Sequence, residues 1–551
     1  MSQKLLKPPK NRSFMRKLSL LPVLMLLASC GGGDSSLTAK LTGQVSALFS
    51  NSGTKTTHFA ASRFLEQASM GPSPASVAQV RAQGIDAWVA AQMKMAPTTI
   101  VTPASLYEYE LNVDIAAQQR LNDFWSLNLY NLLIGGEDQL RIRTSWVLSN
   151  FLVVSTRKVL TYGAIEYLNT LQNNAFGQYG DLLKAITKSA AMANYLDNEQ
   201  NRRTQLNENY GRELMQLFSV GLVQLNLNGT PKRDANGKLL ETYSQKDVIE
   251  ITRALTGWNF ADPNTKRKSS NNLNYGKPME ATWPDRHDTD SKTFLGKTIP
   301  AGQNAEQDLD SLVEILMSHP NTAPFVSLRL IQGMTASDPS PAYLERVATV
   351  FMQTKGNLAQ VITAVLTDPE ARYADAPNKS TATFGRIKEP LLIHTSGFRG
   401  MGCKVAVRDE YDPTRVLESY NQQPLNAYSV FNFYPPNHKT QGTNVLAPEQ
   451  KMLNATEFSG RMSFFKYKLR DETLLSNAGC DVAAFKSAAA ISDENLVNLM
   501  NDRYFRGALP AAISKSLVDA HKNYWERDKG LSLMGSMLDM AAITPVYGVT
   551  K

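Results

Sequence analysis

Residues 207–221 read NENYGRELMQLFSVG. At 100° per residue, Tyr210, Leu214, Leu217, Phe218 and Gly221 gather on one face, so the stretch predicts an amphipathic helix with a buried stripe. Asn207 is placed to cap its start, since its side-chain oxygen can accept a first-turn N–H. Gly221 is placed to end it, as the residue just past a helix terminus. Glu208 and Arg212 stand four apart on the far side, the spacing of an intrahelical ion pair. Glu213 borders the apolar stripe and is the stronger candidate for chemistry. Glu208 and Glu213 lie about 140° apart around the axis, so one helix cannot aim both carboxylates at the same atom. Acid–base work by two carboxylates would need a second element.

YSQKDVIEITRALTGW, 243–258, supplies one. Ser244 followed three residues on by Asp247 has the form of a capping box. Val248, Ile251, Leu255 and Trp258 make its core face, flanked by Glu250 and Arg253. Two consecutive amphipathic helices should pack together, and Glu213, Arg253 and Arg141 or Arg143 could then meet in a polar network. Such a network can specify a core as readily as run a reaction.

The next block, RHDTDSKTFLGKTI at 286–299, is the best loop-borne candidate. His287 beside Asp288 and Asp290, with Lys292 and Lys297 nearby, has the residue types of a general base or a metal ligand. A surface loop of solvated charges has the same composition. Glu213, His287 and Asp288 are therefore the catalytic candidates, with Arg141, Arg143, Glu208, Arg212 and Arg253 as supporting groups. His319, before Pro320, reads as a helix-end residue and His394, in an apolar run, as a packed core histidine. His438, with Phe431, Phe433 and Tyr434, could line a pocket or form a rigid aromatic turn.

The surrounding chain repeats the helical texture. FAASRFLEQASM predicts a helix from His58, broken at Gly71-Pro72-Ser73-Pro74, and the segment after it predicts two short helices split at Gly84. DQLRIRTSWVLSNFLVVS buries Leu140, Trp146, Leu148 and Phe151 and leaves Arg141 and Arg143 polar. Strand-like alternation is scarce. The exception is 223–243, where Asn-Gly at 228–229 and at 236–237 predicts tight hairpin turns. The expected fold is mainly α: a large multi-helix globular body over 58–551 with a small β-hairpin excursion. It can divide into two lobes, with 260–292 or 399–415 as the seam.

The chain start carries a different signal. Lys4, Lys7, Lys10, Arg12, Arg16 and Lys17 precede a short apolar run, Leu18 to Ala28, with no acid among them. A run this short falls well below the roughly 20 residues of a membrane-spanning helix and reads as a secretory leader over 1–29. Leu27-Ala28-Ser29-Cys30 has the form of a lipoprotein cleavage box, which makes Cys30 the expected acylation site. Residues 30–57, opening GGGDSS, read as a lipidated flexible tether. Without the leader the formal charge falls from +8 by six to +2, so the pI of 9.1 overstates the mature charge. That near-neutral balance gives no electrostatic case for nucleic acid. No Asp follows Cys30 directly, which favours outer-membrane over inner-membrane sorting.

Only Cys403 and Cys480 remain in the body. They show no metal-ligand spacing, and their separation says nothing about proximity, so one disulfide in an oxidising compartment stays open. HExxH, GxSxG, Walker A, GxGxxG after a strand, and CxxC are all missing from the sequence. DANGK, 234–238, shares a fragment with calcium loops but lacks the later ligands. No cofactor and no metal is expected.

Several blocks, in order, resemble the bacterial DUF1800 family. They are RFLEQASMGPSPASVAQVRAQGIDAWVAAQM (63–93), QLRIRTSWVLSNFLVVS (139–155), the two helices above, HDTDSKTFLGKTI, HPNTAPFVSLRLI (319–331) and SVFNFYPP (429–436). The resemblance spans about residues 58–550. It implies an exported, predominantly helical protein and carries no established activity. Family members are often encoded beside DUF1501 proteins, an exported group resembling the alkaline-phosphatase and sulfatase superfamily, which implies such a protein as a partner. Family members commonly show Ala where this chain has Gly211, at some cost in helix propensity. Two functions follow as expectations: an accessory or scaffold lipoprotein of the cell envelope, periplasmic or surface-exposed and working with an exported partner, or an envelope hydrolase with a carboxylate/histidine site.

Overall fold

The 207–221 helix forms over a shorter span than its pattern predicts. In a computed structural model of the chain, helix α1 runs Asn209–Gln216. Beyond it, Phe218 N–H bonds Glu213 O and Gly221 N–H closes back on Met215 O at 2.9 Å. The apolar stripe is buried at Tyr210, Leu214 and Phe218. Asn207 does serve the helix start, its Oδ1 accepting Asn209 N–H at 3.1 Å. Gly221 has φ +70°, and a Cβ there would lie 2.6 Å from the Phe325 ring.

The structure describes residues 56–102, 115–261, 274–282, 284–376, 379, 384–405, 422–461, 465, 469, 472–525 and 531–550. The expected leader, the tether to residue 55 and Cys30 lie outside them, as do 262–273 and 406–421, into which the two candidate seams run. Residues 55–551 cluster as one unit. It is mainly α, and the described residues contain two sheets of two strands each. Among the described residues, no helix is long and apolar enough to cross a membrane.

Helix α2, Gln245–Ala254, begins at the expected capping box: Ser244 accepts Asp247 N–H, and Asp247 accepts Ser244 N–H at 2.7 Å. It packs on α1 through Gly211. An alanine Cβ at 211 would sit 2.7 Å from Thr252 Oγ1 and 3.2 Å from Ile251 Cγ2, so the glycine admits α2 closely. The expected breaks near the start also appear, with helices His58–Ala68, Pro74–Gln83 and Ile85–Lys94 and Gly84 at φ +87°.

Two expectations change on contact with the structure. The segment 223–243 is an antiparallel excursion held by isolated bridges, Val223 to Glu241 and Arg233 to Leu239, rather than by a ladder. Its turns do use Gly229 and Gly237 at positive φ. The regular hairpin lies instead in the 286–299 block, where β1 (Lys292–Phe294) pairs with β2 (Lys297–Ile299). Leu295 at φ +50° and Gly296 at φ +71° make its turn. Both central residues of such a two-residue turn need positive φ, which is unfavourable for leucine; Asp247 Oδ1 holds the turn by accepting Leu295 N–H at 2.8 Å.

The second change concerns helix Gln139–Ser149, whose every residue is buried, arginines included. It packs against Thr161–Asn174, Ile85–Lys94, His58–Ala68 and Thr322–Met334, so no face is left for water. Arg141 and Arg143 direct guanidinium N–H groups at backbone carbonyls: Arg141 at Gln172 O and Met95 O, both 3.0 Å, and Arg143 at Gly333 O at 2.7 Å.

Buried charges tie distant segments together. Glu66 on the first described helix meets Lys388 at 3.0 Å and Arg506 at 2.5 Å. Strand β3 (Arg386–Ile387) pairs with β4 (Val549–Thr550), fixing the chain's end to its middle. Cys403 and Cys480 form a disulfide, which settles the pairing the sequence left open.

Candidate functional site

The α2–hairpin junction collects part of the expected site. Arg253 grips Asp288 through both oxygens, Nε–Oδ2 at 2.8 Å and Nη2–Oδ1 at 3.1 Å. Its Nη1 binds Glu250 at 2.9 Å and Ser291 O at 3.1 Å. Glu250 in turn accepts Thr293 N–H at 2.9 Å. Hydrogen bonding and charge from Arg253, with Asp290 N–H and the Lys292 charge, hold the Asp288 carboxyl below its ordinary range although burial opposes this. The pairing with Asp288 raises Arg253.

His287 is buried behind this pair. Thr256 O, a carbonyl, accepts from Nδ1 at 2.9 Å, while Nε2 lies 3.1 Å from Asp308 Oδ2. Lys292, fully buried, bonds the same Asp308 oxygen at 2.5 Å and also reaches Asp288 O. Both ring nitrogens therefore face protein groups. Gly257, at φ +89°, permits the approach, because a Cβ there would lie 2.9 Å from His287 Cβ. As placed, His287 and Asp288 brace the hairpin against α2.

The remaining candidates go elsewhere. Glu208 and Arg212 pair at 2.8 Å, half-exposed, and share Gln245 on α2. Glu213 is 8 % exposed, with Oε2 buried and unbonded. Burial raises its pKa, and the charge of Arg212 only partly offsets this. Arg141 and Arg143 are held on the backbone of the central helices, so the described contacts distribute the expected network over separate places. His319 ends helix Ala305–Ser318, and His394 packs between Tyr130 and Phe398, as their sequence settings predict. Among the described residues, no group of three or more His, Cys, Asp or Glu is arranged to hold a metal ion.

A cleft of about 560 Å³, its open mouth included, lies along helix Thr322–Met334. It is lined by Val147 near the end of the central helix, by Phe151 just beyond it, and by Leu217, Phe431 and Tyr434. Helices approach closely beneath it: a Cβ on Gly333 would meet Val147 Cγ1 at 2.3 Å. Arg329 lines it, bonding Gln332 Oε1 through Nη1 at 2.8 Å and stacking over Phe325 at 4.8 Å. Gln332 is fixed by Ser337 O and Pro436 O. Burial pushes Arg329 down to about 10. Among the described residues, no carboxylate lies within ion-pair distance of it.

Glu449 also faces the cleft, but its charge is matched. Arg386 binds its Oε1 at 2.9–3.0 Å, and Ser337 donates to its Oε2 at 2.8 Å. Arg386 also pairs with Glu389, which accepts Trp146 Nε1–H at 3.2 Å and Gln422 Nε2–H at 2.6 Å. Arg386 and Arg143 hold Glu389 below its ordinary range against the opposing effect of burial. Burial, with the charges of Glu389 and Glu449, keeps Tyr434 protonated.

A family model described as a protein of unknown function, DUF1800, matches residues 63–548. The chain belongs to the DUF1800 family. Comparisons with curated proteins and with solved structures gave no match.

In this DUF1800 chain the blocks that carry the resemblance are mostly core-building segments. QLRIRTSWVLSNFLVVS contains the central helix, and HPNTAPFVSLRLI and SVFNFYPP contribute Arg329, Phe431 and Tyr434 to the cleft. Sequence reasoning named the two aromatics and passed over Arg329, Arg386, Glu389, Glu449 and Asp308. One signal was present: Arg329 is the only charged residue of the mostly apolar TAPFVSLRLIQGM. The other four carry no local mark of their role.

Proposed function

We propose that this DUF1800 protein is a cell-envelope lipoprotein, acylated at Cys30, whose helical body acts as an accessory to an exported partner. The observation that carries the reading is Leu27-Ala28-Ser29-Cys30 directly behind a basic, acid-free n-region and a short apolar run. The Cys403–Cys480 disulfide supports it, because such bonds persist in oxidising compartments. Several acyl chains on one cysteine give stable anchoring. The residue after Cys30 favours the outer membrane, and the family likeness points to a DUF1501-like protein as the partner.

Mass measurement of the mature N-terminus from the native host tests the anchor. A diacylglyceryl-modified Cys30 as the first residue is expected, and Cys30→Ser should move the protein out of the membrane fraction. An unmodified terminus elsewhere overturns the assignment. Crosslinking in intact cells tests the partner: one dominant exported protein should be captured, and capture of none by the folded protein removes the accessory role.

A hydrolase is the second reading, favoured by Glu213. A buried carboxyl with a raised pKa and an unbonded oxygen has the properties of a general acid.

A further inference from the structure

The cleft beside Arg329 has a charge balance that selects its occupant. Around it, Arg143 and Arg386 face Glu389 and Glu449, two cations against two anions. Arg329 adds one cation with no carboxylate partner among the described residues. Its placement is built. Gln332 takes Nη1, Phe325 takes one guanidinium face, and Gly221 gives Phe325 the room to stand there. This leaves other N–H groups of a planar fork, whose geometry matches a carboxylate. Arg329 is half-buried at the cleft, so these remaining N–H groups are open to an anionic ligand.

We propose that this cleft binds a monoanionic organic carboxylate, its two oxygens on Arg329 and its hydrocarbon or aromatic body against Val147, Phe151, Leu217 and Phe431. One unmatched positive charge suits one negative charge. Its lining combines apolar walls with few polar groups, as small-molecule sites do. Phe431 is 41 % exposed, an aromatic free to cover a bound ring.

A free acid and a peptide C-terminus share this chemistry, and calorimetric titration of the full mature chain separates them. The probes are 3-phenylpropionate and N-acetyl-Ala-Phe, each beside its primary amide, with phenyl phosphate as the dianion. At least one carboxylate should bind at least tenfold more tightly than its amide and than phenyl phosphate, and its identity reports the source. Arg329→Met should weaken that binding at least tenfold, while Lys184→Met, on the surface and paired to Asp310, should leave it unchanged. If Arg329→Met does not fold, the acid–amide comparison on the unaltered protein decides alone. Equal affinity for acid and amide, tighter phosphate binding, no saturable binding, or full binding by folded Arg329→Met each overturns the proposal.

Discussion

The Arg253 guanidinium holds Asp288 in a two-point grip, 2.8 and 3.1 Å, and thereby clamps the β1–β2 hairpin to α2. The same helix bonds the hairpin backbone from Asp247 and Glu250. A block whose residue types suggested catalysis is thus a docking device between a helix and a two-stranded sheet, with partners 14–19 % exposed.

Breaking the clamp should cost stability and change its pH dependence. Asp247 and Asp288 both have folded pKa values below the ordinary range. Burial opposes this, and it is overcome by hydrogen bonds to Asp247 and by Arg253 at Asp288. A depressed carboxyl contributes stability that is complete above its unfolded value, near about 4, and is lost as pH falls through the folded value. Arg253→Met should therefore cost about 2 kcal/mol at pH 7, in the range of a charged hydrogen-bonded pair, and flatten the loss of stability below pH 4. Urea unfolding from pH 3 to 7 measures both. An unchanged acid limb would show that the pair does not hold the hairpin.

Glu213 should behave in the opposite sense. Its folded pKa is raised by burial, so its contribution is most favourable below the unfolded value and is lost as pH rises through the folded one. Glu213→Gln should raise the melting temperature at pH 8 and leave it nearly unchanged at pH 4. A group retained against stability is what functional sites show. Should the variant instead melt lower at pH 8, the carboxylate holds the fold together and the hydrolase reading loses its support.

The disulfide closes a long loop, Cys403 and Cys480 being separated by 77 in sequence. Replacing both by Ser should lower unfolding free energy by up to about 4 kcal/mol, the chain-entropy value for a loop of that length. Denaturant unfolding with and without reductant reads this, and a protein indifferent to reductant would show that the bridge does not form in the host. The paired helices Val482–Ile491 and Asp493–Tyr504 follow the second cysteine. They should lose hydrogen-exchange protection first, because the bridge joins them to helix Pro390–Gly400.

Much of the fold was legible because its signals are local. Apolar spacing marked the helices, Ser244 and Asp247 marked a start, Gly84 marked a break, and the stripe Tyr210–Leu214–Phe218 marked a buried face. Periodicity overran at 217–221, where the chain turns back on Met215 while its apolar residues continue to pack. The β1–β2 hairpin was hidden because Leu295-Gly296 is a poor turn sequence, made tenable by an aspartate on another element. Asp288 lies against Arg253 in the structure, a pairing that the composition of the 286–299 block could not distinguish from an active centre.

The sequence by itself determined the helical class and the family, since each depends on neighbours within a few turns of the chain. Only the tertiary structure decided which charges are matched. Arg143 ends on a carbonyl 190 positions away, Arg386 joins Glu389 to Glu449, and Arg329 is left facing a cleft. Electrostatic partnership depends on distance and burial after folding, and neither quantity is encoded by residue type or spacing along the chain.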